Sequence, residues 1–374
     1  MKKVLSAAVQ FVKGEAVLCI CVLLAAISMI FVPPSAAYAE YIDRDTLALL
    51  FALMAVMKGF QHAGLFAYLA NKLLRRADTS KKLMAVLVFL PFFLSMAVTN
   101  DVALITFVPF AIIVLRTAGF EKLVMPTIVL QTLAANMGST LTPIGNPQNL
   151  YLYGQSGMSF GELVLIMLPY VALSGIALAA IIACFKSSPV GEVQVQGALG
   201  GAFSLVWPSV FFIVSLLGLF EVVPVIAIAI VVAVFLAIFD RHSLAGVDYS
   251  LLGTFVALFI FIGNMGNIPV FRDFLSSVIA GNEELVAILA SQVISNVPAA
   301  LLLSGFSSQW QALIVGCNLG GLGTLIASMA SLISYKALAK QYPALRLRYL
   351  VLFTFCNAAF LAGLAGLSLV LSLI

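Results

Sequence analysis

The sequence predicts an all-α polytopic membrane protein, and three observations carry that prediction. Of 374 residues, 63% are hydrophobic and only 9% are charged, with a mean hydropathy of +1.15. A soluble domain carries roughly one-quarter charged residues, so this chain cannot solvate the surface of a globule its size. Apolar runs of roughly 18 or more residues, long enough to cross a bilayer as a helix, recur from end to end. The longest polar stretches, near 71–82 and 186–201, have the length of loops and leave no room for a soluble catalytic domain.

The same composition excludes other classes. No basic face is interleaved with aromatics, so nucleic acid is not expected as a partner. Cys19, Cys21, Cys184, Cys317 and Cys356 all sit in apolar segments, with neither a disulfide framework nor the spacing of a transition-metal site. His62 and His242 lie far apart in the chain and read as isolated interfacial histidines. No nucleophile is paired with a base, so the chain does not read as an enzyme, and no cofactor is expected beyond a coupling Na⁺ or H⁺. Near the N-terminus, Lys2 and Lys3, an apolar stretch and Ala37-Tyr38-Ala39 resemble a secretory signal with its cleavage site. The stretch from Ala16 to Val32 is long for a signal and has a counterpart later in the chain, so it reads as a retained first helix.

Spans are expected at about 14–33, 46–62, 123–153 with a break, 160–185, 203–220, 223–239, 248–266, 309–338 with a break, and 347–372. Two further apolar stretches, about 83–116 and 285–306, are interrupted at Val98-Thr99-Asn100-Asp101 and at Ile294-Ser295-Asn296-Val297-Pro298. Irregular backbone at membrane depth is tolerated only inside protein or along a wet cavity, so both read as re-entrant hairpins. With a cytoplasmic N-terminus, this topology leaves only Arg44 and Arg272 of 19 basic residues outside, while Lys58 falls within a span. The outer loops instead carry Glu40, Asp43, Asp45, Asp273, Glu283 and Glu284. That asymmetry is the positive-inside pattern.

The halves repeat in order. Ile42-Asp43-Arg44 resembles Val247-Asp248-Tyr249, Ser95 to Asn100 aligns with Ser291 to Asn296, and Ala135 to Ile144 aligns with Cys317 to Ile326. Tyr153 then falls opposite Tyr335. The unmatched span 203–220 adds one crossing, so the second repeat enters from the opposite face. The expected organisation is a first inverted repeat over 1–185, a cytoplasmic loop and connecting helix over 186–222, and a second inverted repeat over 223–374. Inverted repeats whose broken helices meet at the midplane are the architecture of secondary transporters.

The hairpin tips and breaks supply the candidate site. Thr99, Asn100, Ser295 and Asn296 lie at the tips; Ser139, Thr140, Asn146, Pro147 and Thr324 lie in the breaks, and these residues are expected to meet substrate. Glycine lets the backbone open and proline stops helix propagation. Freed carbonyls suit a dehydrated Na⁺, and half-helix N-termini attract an anion. Asp101, Asn100, Asn136, Gly138, Asn296, Asn318 and Gly320 are the expected cation-coupling positions. An intramembrane charge is expensive to hold, which singles out Asp101; Lys58 is either functional or snorkels to the interface. The tip alignment sets Val297 opposite Asp101, which reads as a site with a single carboxylate.

Thr99-Asn100-Asp101, the run Gly138-Ser139-Thr140-Leu141-Thr142-Pro143-Ile144-Gly145-Asn146-Pro147-Gln148-Asn149, and Ser295-Asn296-Val297-Pro298 resemble the ion transporter superfamily. That group includes citrate-type permeases, arsenite permeases, divalent anion/sodium symporters and a class of sodium/proton antiporter. The resemblance implies a homodimer in which a transport domain moves against a fixed scaffold, an elevator mechanism. It also implies tips and breaks that bind cation and substrate together. The carboxylate-transporting branch carries Ser-Asn-Thr at both tips, from which Thr99-Asn100-Asp101 and Ser295-Asn296-Val297 depart. The expected function is transport of a small anion or oxyanion across the cell inner membrane coupled to Na⁺ or H⁺, and the alternative is sodium/proton exchange at Asp101. Single cysteines at Ser80 and Ser188 should be shielded from impermeant reagents in intact cells, and cysteines at Tyr41 and Gly281 should label. Reversed accessibility at Ser80 would end the first-hairpin reading and, with it, the inversion.

Overall fold

Helix order follows directly from the apolar runs. The protein is represented by a computed structural model that describes residues 15–191 and 199–373. Lys2, Lys3 and Lys13, which support the expected orientation, lie outside the described residues. Among the described residues the regular structure is helical apart from one isolated bridge between Thr79 and Pro189. The helices are α1 (Ala16–Phe31), α2 (Tyr38–Tyr41), α3 (Arg44–His62), α4 (Leu65–Leu74), α5 (Ser80–Leu94), α6 (Asn100–Thr117), α7 (Glu121–Gly138), α8 (Pro147–Ser156), α9 (Phe160–Ala183) and α10 (Ala202–Leu219). They continue as α11 (Val225–Phe239), α12 (Arg241–Ala245), α13 (Tyr249–Gly266), α14 (Pro269–Ile279), α15 (Glu283–Ile294), α16 (Asn296–Ser304), α17 (Trp310–Gly320), α18 (Met329–Gln341) and α19 (Arg346–Leu371).

Five of these helices are long and apolar enough to cross a membrane, and up to seven spans result if each bent pair counts as one. Two short amphipathic helices, α4 and α14, were not expected. α4 leaves α3 at 54° and α14 meets α15 at 111°. Both α3 and α13 start from an aspartate at the same repeat position. Asp43 accepts the Thr46 amide at 2.9 Å and Asp248 accepts the Leu251 amide at 2.9 Å, each satisfying an orphan donor of the first turn. α1 is pinned to α13: Asn264 Nδ2 donates to Ser28 Oγ at 2.8 Å and to the Tyr38 hydroxyl at 2.9 Å. Tyr38 lies inside the stretch that resembles a cleavage site, so that stretch holds the first helix in place.

The first expected hairpin has antiparallel arms. Gln131 on α7 donates to Leu87 O on α5 at 2.7 Å and to Phe107 O on α6 at 3.4 Å. Nearer the tip, Gly138 lies against Ser95 and Asn136 bonds Asn100. α7 therefore runs parallel to α5 and antiparallel to α6, and both ends of the first hairpin sit at one level. The second half repeats these contacts: Gly316 packs on Glu284 and Ala287, and Gly320 packs on Ser291 and Ile288. The first hairpin is interior, with 61% of α6 buried against 22% of the last span, which faces outward.

The two broken helices pass one another in opposite directions. Asn136, before the first break, bonds Ser331 after the second at 3.2 Å. Asn318, before the second break, bonds Asn149 after the first at 2.7 Å. These two contacts join equivalent positions of the aligned halves.

The loops at 78–80 and 186–190 also touch. Ser80 N donates to Ser188 O at 2.8 Å, Ser188 N donates to Ser80 Oγ at 2.9 Å, and Lys81 Nζ donates to Ala183 O at 2.6 Å. They lie on one side, as expected, but Ser80 is buried there and would be shielded whatever its side. Asp78, which is exposed, replaces it as the informative labelling position.

The glycines against the hairpins permit the closest helix approaches. A Cβ at Gly138 would lie 2.0 Å from Phe92 O, and one at Gly320 would lie 2.5 Å from Ser291 Oγ. At Gly175 it would meet Phe92 at an ordinary 3.4 Å. Gly138→Ala should therefore destabilise the protein by about 1–3 kcal/mol, the usual cost of overpacking. Thermal unfolding in detergent should rank Gly138→Ala well below Gly175→Ala; equal midpoints would contradict this packing.

Candidate functional site

Each break leaves helix-end carbonyls without partners, and specific side chains take them up. In the first break, Asn149 Nδ2 donates to Thr140 O at 3.0 Å and to Thr142 O at 3.3 Å. In the second, Gln292 Nε2 donates to Gly320 O and Leu322 O, both at 2.9 Å, while its Oε1 accepts the Thr324 amide at 2.9 Å. Gly323 has φ 108°, and a Cβ there would strike Gln292 Oε1 at 2.3 Å, so the turn and its cap require glycine. Thr142 Oγ1 donates to Met96 O, and its equivalent Thr324 Oγ1 donates to Gln292 O at 3.1 Å. The tips are thus tied to the breaks by the same bond in both halves.

A buried amide cluster joins the first tip to both breaks. Asn136 Oδ1 accepts from Asn100 Nδ2 at 3.1 Å and from Ser328 Oγ at 3.2 Å. Ser139 Oγ lies 2.9 Å from Asn146 Oδ1, and Thr140 Oγ1 donates to Met137 O at 2.7 Å. At the second tip, Ser295 holds φ 74° and ψ 154°, a conformation that a side chain disfavours. The Asn296 amide N–H donates to Ala327 O at 2.9 Å, and Ser295 Oγ donates to the same oxygen at 3.3 Å, which fixes that backbone. The Asn296 side chain is 6% exposed and has no hydrogen-bond partner among the described residues. Asn318 Oδ1 and Gln148 Nε2 are buried and equally unpaired.

Beside this cluster lies a cavity of about 270 Å³. Thr99, Asp101, Asn146 and Pro147 line it, together with Lys58 and with Asp248, Glu15 and Gly246. Five residues singled out from the sequence therefore meet at one surface. Asn100, Asn136, Gly138, Ser139 and Thr140 are buried and do not line it. Ser295, Asn296, Asn318, Gly320 and Thr324 surround the second break and do not reach this cavity. A larger cleft of about 970 Å³, near Asp43, Tyr153, Gln155 and Glu221, touches neither tip nor break. Leu150 lines both spaces, so a thin wall separates them.

Two sequence expectations need correction. The first tip is not a site with a single carboxylate, because Asp248 and Glu15 share the cavity with Asp101. Asp248 uses Oδ1 to cap α13, which leaves its second oxygen free. The histidines are not isolated: His62 and His242 stack with ring centroids 4.6 Å apart. Gln292, Asn149, Ser328 and Ser331 also have site roles that the sequence reading did not assign. Lys58 donates to Gln61 Oε1 at 3.3 Å, and the ion pairs found among the described residues include neither Lys58 nor Asp101. A cavity with unpaired fixed charges and hard oxygen donors is suited to bind ions.

Asn136 is the pivot of the cluster, whereas Asn318 already has an orphan oxygen. Asn136→Ala strands the Asn100 amide and two serines, at about 1–3 kcal/mol for each buried group left unpaired. It should unfold at a lower temperature than Asn318→Ala. The opposite order would remove Asn136 from the centre of the site.

Comparison with known proteins gives a consistent result. The profile of a citrate transporter family matches residues 6–307. The inner membrane protein YbiR of Escherichia coli is 34% identical, over 79% of this chain and 80% of that protein. An uncharacterized transporter, MJ0456, of Methanocaldococcus jannaschii is 33% identical, over 79% of this chain and 81% of that protein. The silicon efflux transporter LSI3 of Oryza sativa subsp. japonica is 37% identical over 36% of this chain and 27% of its own.

Proposed function

The chain belongs to the citrate transporter family, a membrane transporter and not an enzyme, and on that premise we propose that it moves a small anion or oxyanion across the cell inner membrane, coupled to Na⁺ or H⁺. The observation that carries this reading is the 270 Å³ cavity in which Asp101 and Asn146 from a hairpin tip and a helix break face Lys58. The ammonium supplies attraction for an anion, and the carboxylates and amide oxygens supply ligands for a cation. Asp101, Asp248 and Glu15 outnumber Lys58, so a dicarboxylate entering without cations meets net repulsion. Within the class, a compact oxyanion of low charge fits better than a dicarboxylate, and the name of the rice relative, a silicon efflux transporter, points the same way.

Alternating access by an elevator motion of two inverted repeats, in a homodimer with a cytoplasmic N-terminus, completes the reading. It is supported by the antiparallel passage of the broken helices and by the thin wall at Leu150 between cavity and outer cleft. Sodium/proton exchange is the second reading, and the carboxylate pair at Asp101 and Asp248 favours it. Proteoliposomes with Na⁺ and pH gradients imposed separately distinguish the two, because exchange needs no anion. In Asp101→Asn, insertion should persist and the dependence of flux on the cation gradient should be lost. Flux in that variant with the wild-type gradient dependence would show that Asp101 is not the coupling group.

A further inference from the structure

The only two histidines of the chain, 180 positions apart, stack on one another with an interplanar angle of 27°. His62 is the last residue of α3, and His242 lies in the short helix α12. His62 Nδ1 is 3.0 Å from Ser243 Oγ, and Ser243 Oγ is 2.7 Å from Asp240 Oδ2. An ionised carboxylate only accepts, so the single hydroxyl proton of Ser243 goes to Asp240. Ser243 must then accept from His62, which fixes the proton of a neutral His62 on Nδ1 and leaves Nε2 free to take another. The pair lies one helical turn outside the cavity on both sides: Lys58 precedes His62 by four residues, and Gly246 follows His242 by four. The amide of Gly246 donates to His242 O at 3.0 Å, and Lys58 and Gly246 both line the cavity.

We propose that the His62–His242 stack, with Ser243 and Asp240, is a proton-operated latch holding α12 against the end of α3 at the rim of the cavity. One proton is accommodated by the pair, because a single imidazolium stacked on a neutral ring meets no like charge and Asp240 lies close by through Ser243. A second proton places two like charges 4.6 Å apart in face-to-face rings, and their repulsion separates α12 from α3. The other charged groups on the packed elements are Lys58 on α3, which opposes protonation, Asp240 and Arg241 at the start of α12, Asp248 before α13, and Lys72 on α4. The stretches of α8, α10, α11 and α13 packed against α3 carry no charged side chain. Acidification on that side thereby loosens the rim. This role as a regulator of access rests on the proposed transport cavity; the motion itself does not.

The molecule contains its own reporter. Trp207 on α10 packs on Gly59, where a Cβ would lie 2.2 Å from the indole, one turn before His62. Trp310→Phe leaves Trp207 as the sole tryptophan. In detergent, with no substrate present, lowering the pH from about 8 to about 5 should shift Trp207 emission to the red and increase its quenching by acrylamide. The transition marks entry of the second proton into the stacked pair. Both His62→Gln and His242→Gln should abolish it, because either removes the second charge. A flat titration in the single-tryptophan parent overturns the latch, and so does a transition that survives in both variants. Because no flux is read, failure here leaves the transport reading standing, and absence of transport leaves the latch standing.

Discussion

Inside a bilayer, a backbone carbonyl released from a helix has no water to turn to, and the rest of this structure is arranged around that constraint. The chain breaks four times in its interior, and at each of the two broken helices one amide side chain takes up two stranded carbonyls. Asn149 does this for Thr140 and Thr142, and Gln292 does it for Gly320 and Leu322. Each amide belongs to an element other than the one it caps or lies beyond its break, so the cap also fixes the elements to each other. Threonine hydroxyls then tie each tip to its break, and Gly138 and Gly320 let the arms close to backbone contact.

The halves share this frame but not its use. In the first half, tip and break open onto the cavity, and Asp101 follows the tip. In the second, the equivalent residues are packed around Gln292 and Ala327, with a strained Ser295 and an unpartnered Asn296. The cavity therefore draws its remaining charges from outside the hairpins: Lys58 from α3, Glu15 from the residue before α1, and Asp248 from the turn before α13. A carboxylate with one oxygen engaged as a helix cap is held in place yet keeps ligand capacity, which is how a capping residue comes to serve a cavity.

Much of this was legible in the chain. The connecting span expected at 203–220 is Ala202–Leu219, and the one at 248–266 is Tyr249–Gly266, because an uninterrupted apolar run between polar ends has few alternatives in a membrane. The polar tips and Gly-Pro breaks were visible because polar residues in such runs are costly. By contrast, α4 and α14 were missed because a short amphipathic helix carries too little apolar length to register. The histidine stack and the place of Asp248 beside Asp101 were invisible for another reason. Each joins residues far apart in sequence, and neither partner has a local pattern that names the other.

The sequence by itself determined what must be buried and where the chain must bend, because hydropathy, proline and glycine act locally and leave one cheap solution. It singled out Asn100, Asp101, Asn146 and Asn296 as polar groups that need partners. Only the tertiary structure decided which partners they have: Asn136 for Asn100, a shared cavity with Lys58 and Asp248 for Asp101, and no hydrogen-bond partner among the described residues for the side chain of Asn296. Pairing across a bundle depends on the register and crossing of helices distant in the chain, and that geometry is set by side-chain packing, to which a local pattern is blind.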